Sequence, residues 1–369
     1  MSQAKTFAPS RVVNLPLFAH NEGTVGSLEL GTNSFDFLRL VFALLKTGDF
    51  MAKMLGLSIE LDDLRAAAER IKDYTVRTPV LSSPEINKVT GANVSFKCEN
   101  MQHVGAFKSR GAMNAVLSLS GEAARSGVVT HSSGNHGAAL ARAASLCGIK
   151  AHIVMPENTR PNKIAAVKGF GVDPIFCEPN AEARQAAADE VIRSESATLI
   201  HPYDDPRIIA GQGTATIEFL EQIDSLDYLL VPVGGGGLLC GALIAAKSLA
   251  PEVKVIATEP KLADDAYRSL QSGERQMPTR YDTVADGLRT PLGELNFPII
   301  QKLVDDIWLA DDAAIIEATR EMLVKAKLVV EPSAAVPLAC LKQHATETAE
   351  KNVGIILSGG NLDLENLPW

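Results

Sequence analysis

Along the chain, short apolar runs alternate with longer stretches in which apolar residues recur every three to four positions. From Ile59 the alternation is regular: Leu61–Ile71 (LDDLRAAAERI) has helical spacing, and Arg77-Thr78-Pro79 ends it. Strands are predicted at Val94–Glu99, Gly127–Thr130, Lys150–Met155, Asp173–Phe176, Thr198–Ile200, Tyr228–Val233, Val253–Thr258 and Val353–Leu357. Helices are predicted between them at Gly111–Leu119, Ala138–Leu146, Lys163–Lys168, Ala181–Ser194, Thr214–Leu220, Leu238–Leu249, Ala263–Leu270, Ile315–Ala326 and Ala334–His344. Such alternation predicts an α/β fold of parallel sheets covered by helices, because parallel strands need crossover connections. The short, mostly apolar strands suit sheets buried on both faces. Residues 1–56 fit this pattern poorly. Apolar residues from Phe35 to Met54 have helical spacing, interrupted by Thr47-Gly48-Asp49. They read as a segment packed on the body or on a partner subunit, with an interfacial anchor as the alternative.

A chain of 369 residues is long enough for two domains. Its formal charge of -9, with no basic tail, argues against a nucleic-acid partner. No apolar run is long enough to cross a membrane, and the first residues (MSQAKTFAPSR) lack the core of a secretion signal. Cys98, Cys147, Cys177, Cys240 and Cys340 are scattered without metal or disulfide spacing. A cytoplasmic protein is therefore expected.

Three loops carry candidate chemistry. Val231-Pro232-Val233 leads into Gly234, Gly235, Gly236 and Gly237, and a helix comes next. Bare amides at a helix N-terminus make an anion cradle suited to phosphate, with a simple tight turn as the alternative. The run matches neither common nucleotide fingerprint. Ser132-Ser133-Gly134-Asn135-His136-Gly137 also joins a strand to a helix, and Ser358-Gly359-Gly360-Asn361 follows the last strand. Loops after parallel strands gather at one sheet edge, so one shared pocket is expected. Lys108, in Gly105-Ala106-Phe107-Lys108-Ser109-Arg110-Gly111, is either a buried amine suited to a Schiff base or a solvated surface lysine.

Together, SFKCENMQHVGAFKSRGAMNAV, THSSGNHGAALA, VPVGGGGLLCG, ATEPKLADDAYRS, ADGLRTPLG and LSGGNLDL resemble the serine/threonine dehydratase family, and within it the serine racemase pattern, from about Leu61 to Leu364. These are fold-type II enzymes that use pyridoxal 5'-phosphate (PLP) between two open, twisted parallel-sheet domains. The resemblance implies a large PLP-binding domain over 57–113 and 201–369, a small mobile domain over 114–200, and an N-terminal extension over 1–56. It makes Lys108 the lysine that binds PLP, with Phe107 near the ring, Asn135 on the phenolic oxygen, Gly234 to Gly237 on the phosphate and Ser358 on the pyridine nitrogen. It assigns the substrate carboxylate to Ser132, Ser133, Asn135 and His136, makes Ser133 a second acid–base group, and places Arg184 near the substrate. Without the resemblance, Arg184 reads as a helix-surface arginine.

The resemblance also implies a Mg²⁺ or Ca²⁺ site at Glu259, Asp265 and the Ala263 carbonyl; otherwise these residues read as a helix cap and solvated charge. Departures are few. Residues 1–56 have no counterpart, no C-terminal regulatory domain is expected, and Phe170 stands where the racemase pattern has tyrosine. The expected activity is dehydration of a β-hydroxy amino acid (serine, threonine or a 3-substituted serine such as 3-hydroxyaspartate) by a homodimer. Arg160 and Arg289 are candidates for meeting a second carboxylate. The alternatives are an amino-acid racemase with side dehydration and a catalytically silent binding protein.

Overall fold

Residues 58–369 are described by the computed structural model, so the expected N-terminal extension lies outside them. In chain order the strands are β1 (Val80–Leu81), β2 (Asn93–Lys97), β3 (Val128–Thr130), β4 (Ala151–Pro156), β5 (Ile175–Cys177), β6 (Thr198–Leu199), β7 (Tyr228–Pro232), β8 (Lys254–Pro260), β9 (Asp306–Ala310) and β10 (Asn352–Ile356). They form a six-stranded sheet in the order β1-β2-β10-β7-β8-β9 and a four-stranded sheet in the order β5-β4-β3-β6. Only β1 runs antiparallel, against β2. The smaller sheet comes from chain lying between β2 and β7, so it is inserted into the larger one.

Helices cover both faces of the larger sheet. One core joins Leu229, Val231, Val255 and Ala257 to the helix Gly237–Leu249; the opposite core joins Leu230, Ile256 and Ile355 to the helix Pro332–Gln343. All five residues of β7 are buried. This explains why β7 reads as an unbroken apolar run instead of an alternating one.

Glycines set the distances between three central helices. A Cβ on Gly211, in the helix Pro206–Gln222, would lie 2.6 Å from the Cα of Gly111, in the helix Lys108–Leu117. A Cβ on Gly213 would lie 2.9 Å from the carbonyl of Gly241, in the helix Gly237–Leu249. Backbone therefore packs on backbone, and the starts of these helices are drawn together.

The sequence pattern marks a helix only from Thr214, whereas it begins at Pro206. Gly211 and Gly213 interrupt the apolar periodicity but serve this contact. The helix expected from Gly111 likewise begins at Lys108, so Lys108 occupies a helical first turn. The helix expected over Ile315–Ala326 spans Asp312–Glu321 and passes into a wider turn over Met322–Ala326. The pattern does not mark strand β9 or the helices Pro84–Thr90 and Asn296–Leu303.

Candidate active site

Lys108 is fixed from two sides. The Phe107 backbone N–H donates to the Ser358 carbonyl at 3.0 Å, and Ala106 forms a β-bridge with Gly359. The Lys108 Nζ donates to the Pro202 carbonyl at 2.6 Å. It lies 5.1 Å from the centroid of the Phe107 ring. Burial, opposed by the charge of Glu331, lowers the amine to about 8. Of the two sequence readings, the structure is nearer the buried amine: the side chain is partly buried and its amine rests on a backbone carbonyl.

The glycine run lies beside the Pro202–Tyr203 segment. A Cβ on Gly235 would overlap the Tyr203 ring, and one on Gly237 would lie 2.8 Å from the Tyr203 carbonyl. Gly236 has φ +96°, a conformation that favours glycine. Asn296 Nδ2 donates to the carbonyls of Gly235 at 2.6 Å and Tyr203 at 3.1 Å, tying the loop down. The helix beginning at Gly237 offers its unpaired first-turn N–H groups at this point. Protein atoms fill the Cβ positions of these glycines, and bare N–H groups at a helix start are of the kind that bind a compact anion such as a phosphate.

Asn135 opens the helix Asn135–Cys147 and bridges two loops. Its Nδ2 donates to the Glu331 carboxylate at 2.9 and 3.2 Å, and its Oδ1 accepts from Asn361 Nδ2 at 2.8 Å. Ser358 is buried beside this network. Ser132 Oγ accepts from the Gly134 N–H at 3.4 Å, whereas the Ser133 hydroxyl has no hydrogen-bond partner among the described residues. His136 is buried, its ring nitrogen Nε2 meets the Ile200 carbonyl at 3.2 Å, and Nδ1 is unpartnered. Burial and the nearby Lys108 push its pKa well below the usual histidine range. His136 is thus a neutral ring.

Arg184, in the helix Ala181–Glu195, acts electrostatically on His131, Tyr203 and Tyr281. Its buried Nε has no hydrogen-bond partner. Arg160 instead pairs with Asp363 at 3.2 Å, and the Arg289 guanidinium donates to the Thr283 carbonyl. These are the contacts of the two candidates for a second carboxylate, the Arg160 pair being exposed.

Glu259 and Asp265 are both buried. Glu259 accepts the Ala266 and Tyr267 N–H groups at 2.9 Å each, and Asp265 accepts the Leu292 N–H at 2.8 Å. Burial, reinforced by Asp265, holds Glu259 well above the carboxylate range, and burial lifts Asp265 to about 6. Neither forms an ion pair with a described residue. No cluster of three His, Cys, Asp or Glu side chains occurs among the described residues. Two uncompensated carboxylates beside the buried Ala263 nevertheless suit a hard divalent cation.

Glu331, His201 and the Pro202–Tyr203 segment escaped the sequence reading. His201 Nδ1 accepts the Asp204 N–H at 2.9 Å, and burial with nearby His131 lowers the ring to about 4. The available signal for Glu331 was a carboxylate directly after the apolar Leu328-Val329-Val330, but that also suits an ordinary helix start.

The model of a family described as "Pyridoxal-phosphate dependent enzyme" matches residues 71–359. A serine racemase of Dictyostelium discoideum is 46% identical over 314 residues, covering 84% of this chain and 97% of that protein. A beta-hydroxyaspartate dehydratase of Paracoccus denitrificans is 45% identical over 308 residues, covering 84% and 98%. The crystal structure of a T.th. threonine deaminase superposes with a TM-score of 0.79 at 40% identity, covering 83% of this chain and 99% of that one.

Proposed function

The chain belongs to the pyridoxal-phosphate dependent enzymes, and from that premise we propose that it is a dehydratase, converting a β-hydroxy amino acid to a 2-oxo acid and ammonia. One observation carries this reading: the two groups that could work on the substrate Cα are unequal. Lys108 is a partly buried amine lowered to about 8, poised to act as a base near neutrality. The Ser133 hydroxyl has no basic partner among the described residues to take its proton. Elimination needs one base, whereas racemisation needs an acid–base group on each face of Cα.

PLP, when bound, supplies the electron sink for the negative charge left on Cα. The rest falls to the chain. Lys108 would hold the cofactor, and its amine would take the substrate's α-proton. Gly234 to Gly237 would hold the phosphate, Phe107 and Asn135 would bound the ring and its oxygen, and the Ser358 hydroxyl would give the ring nitrogen an uncharged partner. Amides of the Ser132–His136 loop hold the substrate carboxylate, and Arg184 orients polar groups nearby. The small domain, residues 114–200, closes and excludes water. The hydroxyl leaves Cβ as water, and the released enamine becomes an imine that hydrolyses to the 2-oxo acid and ammonia.

Mg²⁺ or Ca²⁺ at Glu259, Asp265 and the Ala263 carbonyl would stabilise the fold without joining the chemistry. The active form in this reading is a cytoplasmic homodimer, consistent with five free cysteines. The names of the relatives put serine and 3-hydroxyaspartate first among substrates. Racemisation is the second reading, favoured by the presence of Ser133 and by the similarity to serine racemases.

The test is a panel of both enantiomers of serine and threonine and the diastereomers of 3-hydroxyaspartate, offered to PLP-loaded protein with oxo acid, ammonia and enantiomer scored together. Rapid oxo-acid release from one substrate is expected, with a loss of at least about a thousandfold in Lys108→Ala. Enantiomer exchange outpacing oxo-acid release would overturn the dehydratase reading.

A further inference from the structure

The carboxylate of Glu331 is 7% exposed and stands against the Asn135 amide. That amide has one available orientation. Its Oδ1 is taken by Asn361 Nδ2 at 2.8 Å, and Asn361 Nδ2 also donates to the Val104 carbonyl at 2.8 Å. Flipping Asn135 would place its oxygen against the carboxylate and its NH₂ against another NH₂, losing both bonds at once. Glu331 is itself anchored. Its backbone N–H donates to the Gly359 carbonyl at 3.1 Å, and a Cβ on Gly359 would overlap its Oε1. Glu331 therefore ties the loop carrying Asn135 to the loop carrying Ser358.

We propose that Glu331 is a positioning residue for the cofactor: it holds Asn135 so that one N–H stays on the carboxylate while the other is presented to the cofactor's ring oxygen, and protonation of Glu331 loosens that hold. This inference rests on the reading of the site as a PLP site with Asn135 at the ring oxygen.

The surroundings make Glu331 titratable in the working range. Asp286 repels its charge, whereas Lys163, from the helix Pro161–Lys168, attracts it. Lys163 and Asp286 pair with each other at 2.8 Å, so each weakens the other's influence. Lys108 adds a further positive charge when protonated, and the Asn135 amide favours the ionised form. Burial dominates, with the repulsion from Asp286 next, and the carboxyl rises to about 7. Both protonation states are thus populated at neutral pH. An ionised Glu331 accepts a stronger, charge-assisted hydrogen bond from Asn135 than a neutral one does.

The experiment follows the visible absorption band of PLP-loaded protein from about pH 5.5 to about pH 9, with wild type beside E331Q, E331D and E331A. Wild type is expected to show a spectral step within this range, because burial raises the Glu331 carboxyl. E331D keeps a step. E331Q keeps the hydrogen bond and the cofactor but loses the step, because an amide does not titrate there. E331A loses the hold on Asn135, and its PLP dissociation constant rises about tenfold. A purely structural role would lower thermal stability without moving the step.

An unchanged step in E331Q, or no step in PLP-loaded wild type, would overturn the titration. Unchanged affinity and spectrum in E331A would overturn the positioning. Wild type that takes up no PLP, or a band that survives Lys108→Ala, would instead overturn the site reading and the inference with it.

Discussion

Two of the regions in which this protein buries charge treat it in opposite ways. Beneath β1 and β2, Arg110 meets Glu99 at 2.7 Å and Glu218 at 2.7 Å, and Lys97 meets Glu218 at 2.7 Å. Burial alone would raise Glu218, but Arg110 and Lys97 outweigh it and its carboxyl falls below its ordinary value. Thr78 and Thr214 complete the polar contacts. At the far end of β8, Glu259 and Asp265 form no ion pair with a described residue, and both carboxyls rise. Lys108 is a third case: a partly buried amine resting on a carbonyl instead of a carboxylate. Charge that closes on itself builds the fold. Charge left open shifts the titration of the group that carries it.

The contrast can be broken most severely at Arg110. Arg110→Ala leaves Glu99 and Glu218 buried without their main cation, and unfolding free energy should fall by about 3–5 kcal/mol in a urea titration. A loss under about 1 kcal/mol would show that the network is dispensable.

At the open pair the expected effect depends on pH. An aspartate titrates at about 3.9 when unfolded, but Asp265 titrates at about 6 in the folded protein. Between these values the folded state holds the extra proton, so stability falls as pH rises and the penalty is complete above about 6. For Asp265 alone it amounts to about 3 kcal/mol, and Glu259 adds to it with the same sign. Thermal melts should therefore show Mg²⁺ or Ca²⁺ raising Tm well at about pH 8 and little at about pH 5. Glu259→Gln should raise metal-free stability at about pH 8 and remove the metal response; a response that persists in this variant would place the ion elsewhere.

The smallest effect belongs to charge that is neither buried nor open. Lys150 and Glu195 pair at 2.8 Å on the surface. Lys150→Ala should change stability by less than about 1 kcal/mol in the same urea titration, and less again in high salt. A larger loss would mean that exposure is a poor guide to these pairs.

Much of the scaffold was legible because its signals are local. The apolar runs at Tyr228–Pro232 and Asn352–Ile356 and the helix over Leu61–Ile71 declare themselves within a few residues. Breakers were misleading where glycine serves packing. Gly211 and Gly213 hid the first two turns of the helix Pro206–Gln222, because the helices they admit lie far away in sequence. Strand β9 begins with Asp306 and was passed over, although pairing with β8 fixes it.

The sequence by itself determined the alternation of strand and helix, the loops that follow the strands, and the residue types of a phosphate cradle and an amine. These depend on periodicity and on bare backbone, which are properties of neighbouring residues. Only the tertiary structure decided which charges are open. The Lys108 amine is held because the Pro202 carbonyl accepts its hydrogen bond, and Asn135 is oriented because the Glu331 carboxylate accepts from its amide. Arg160 meets Asp363 and Arg289 meets the Thr283 carbonyl. Partners separated by 94 to 203 residues set each of these states except that of Arg289, whose acceptor is 6 residues away. Burial changes what a charge costs and what it binds, and burial is a property of the folded chain alone.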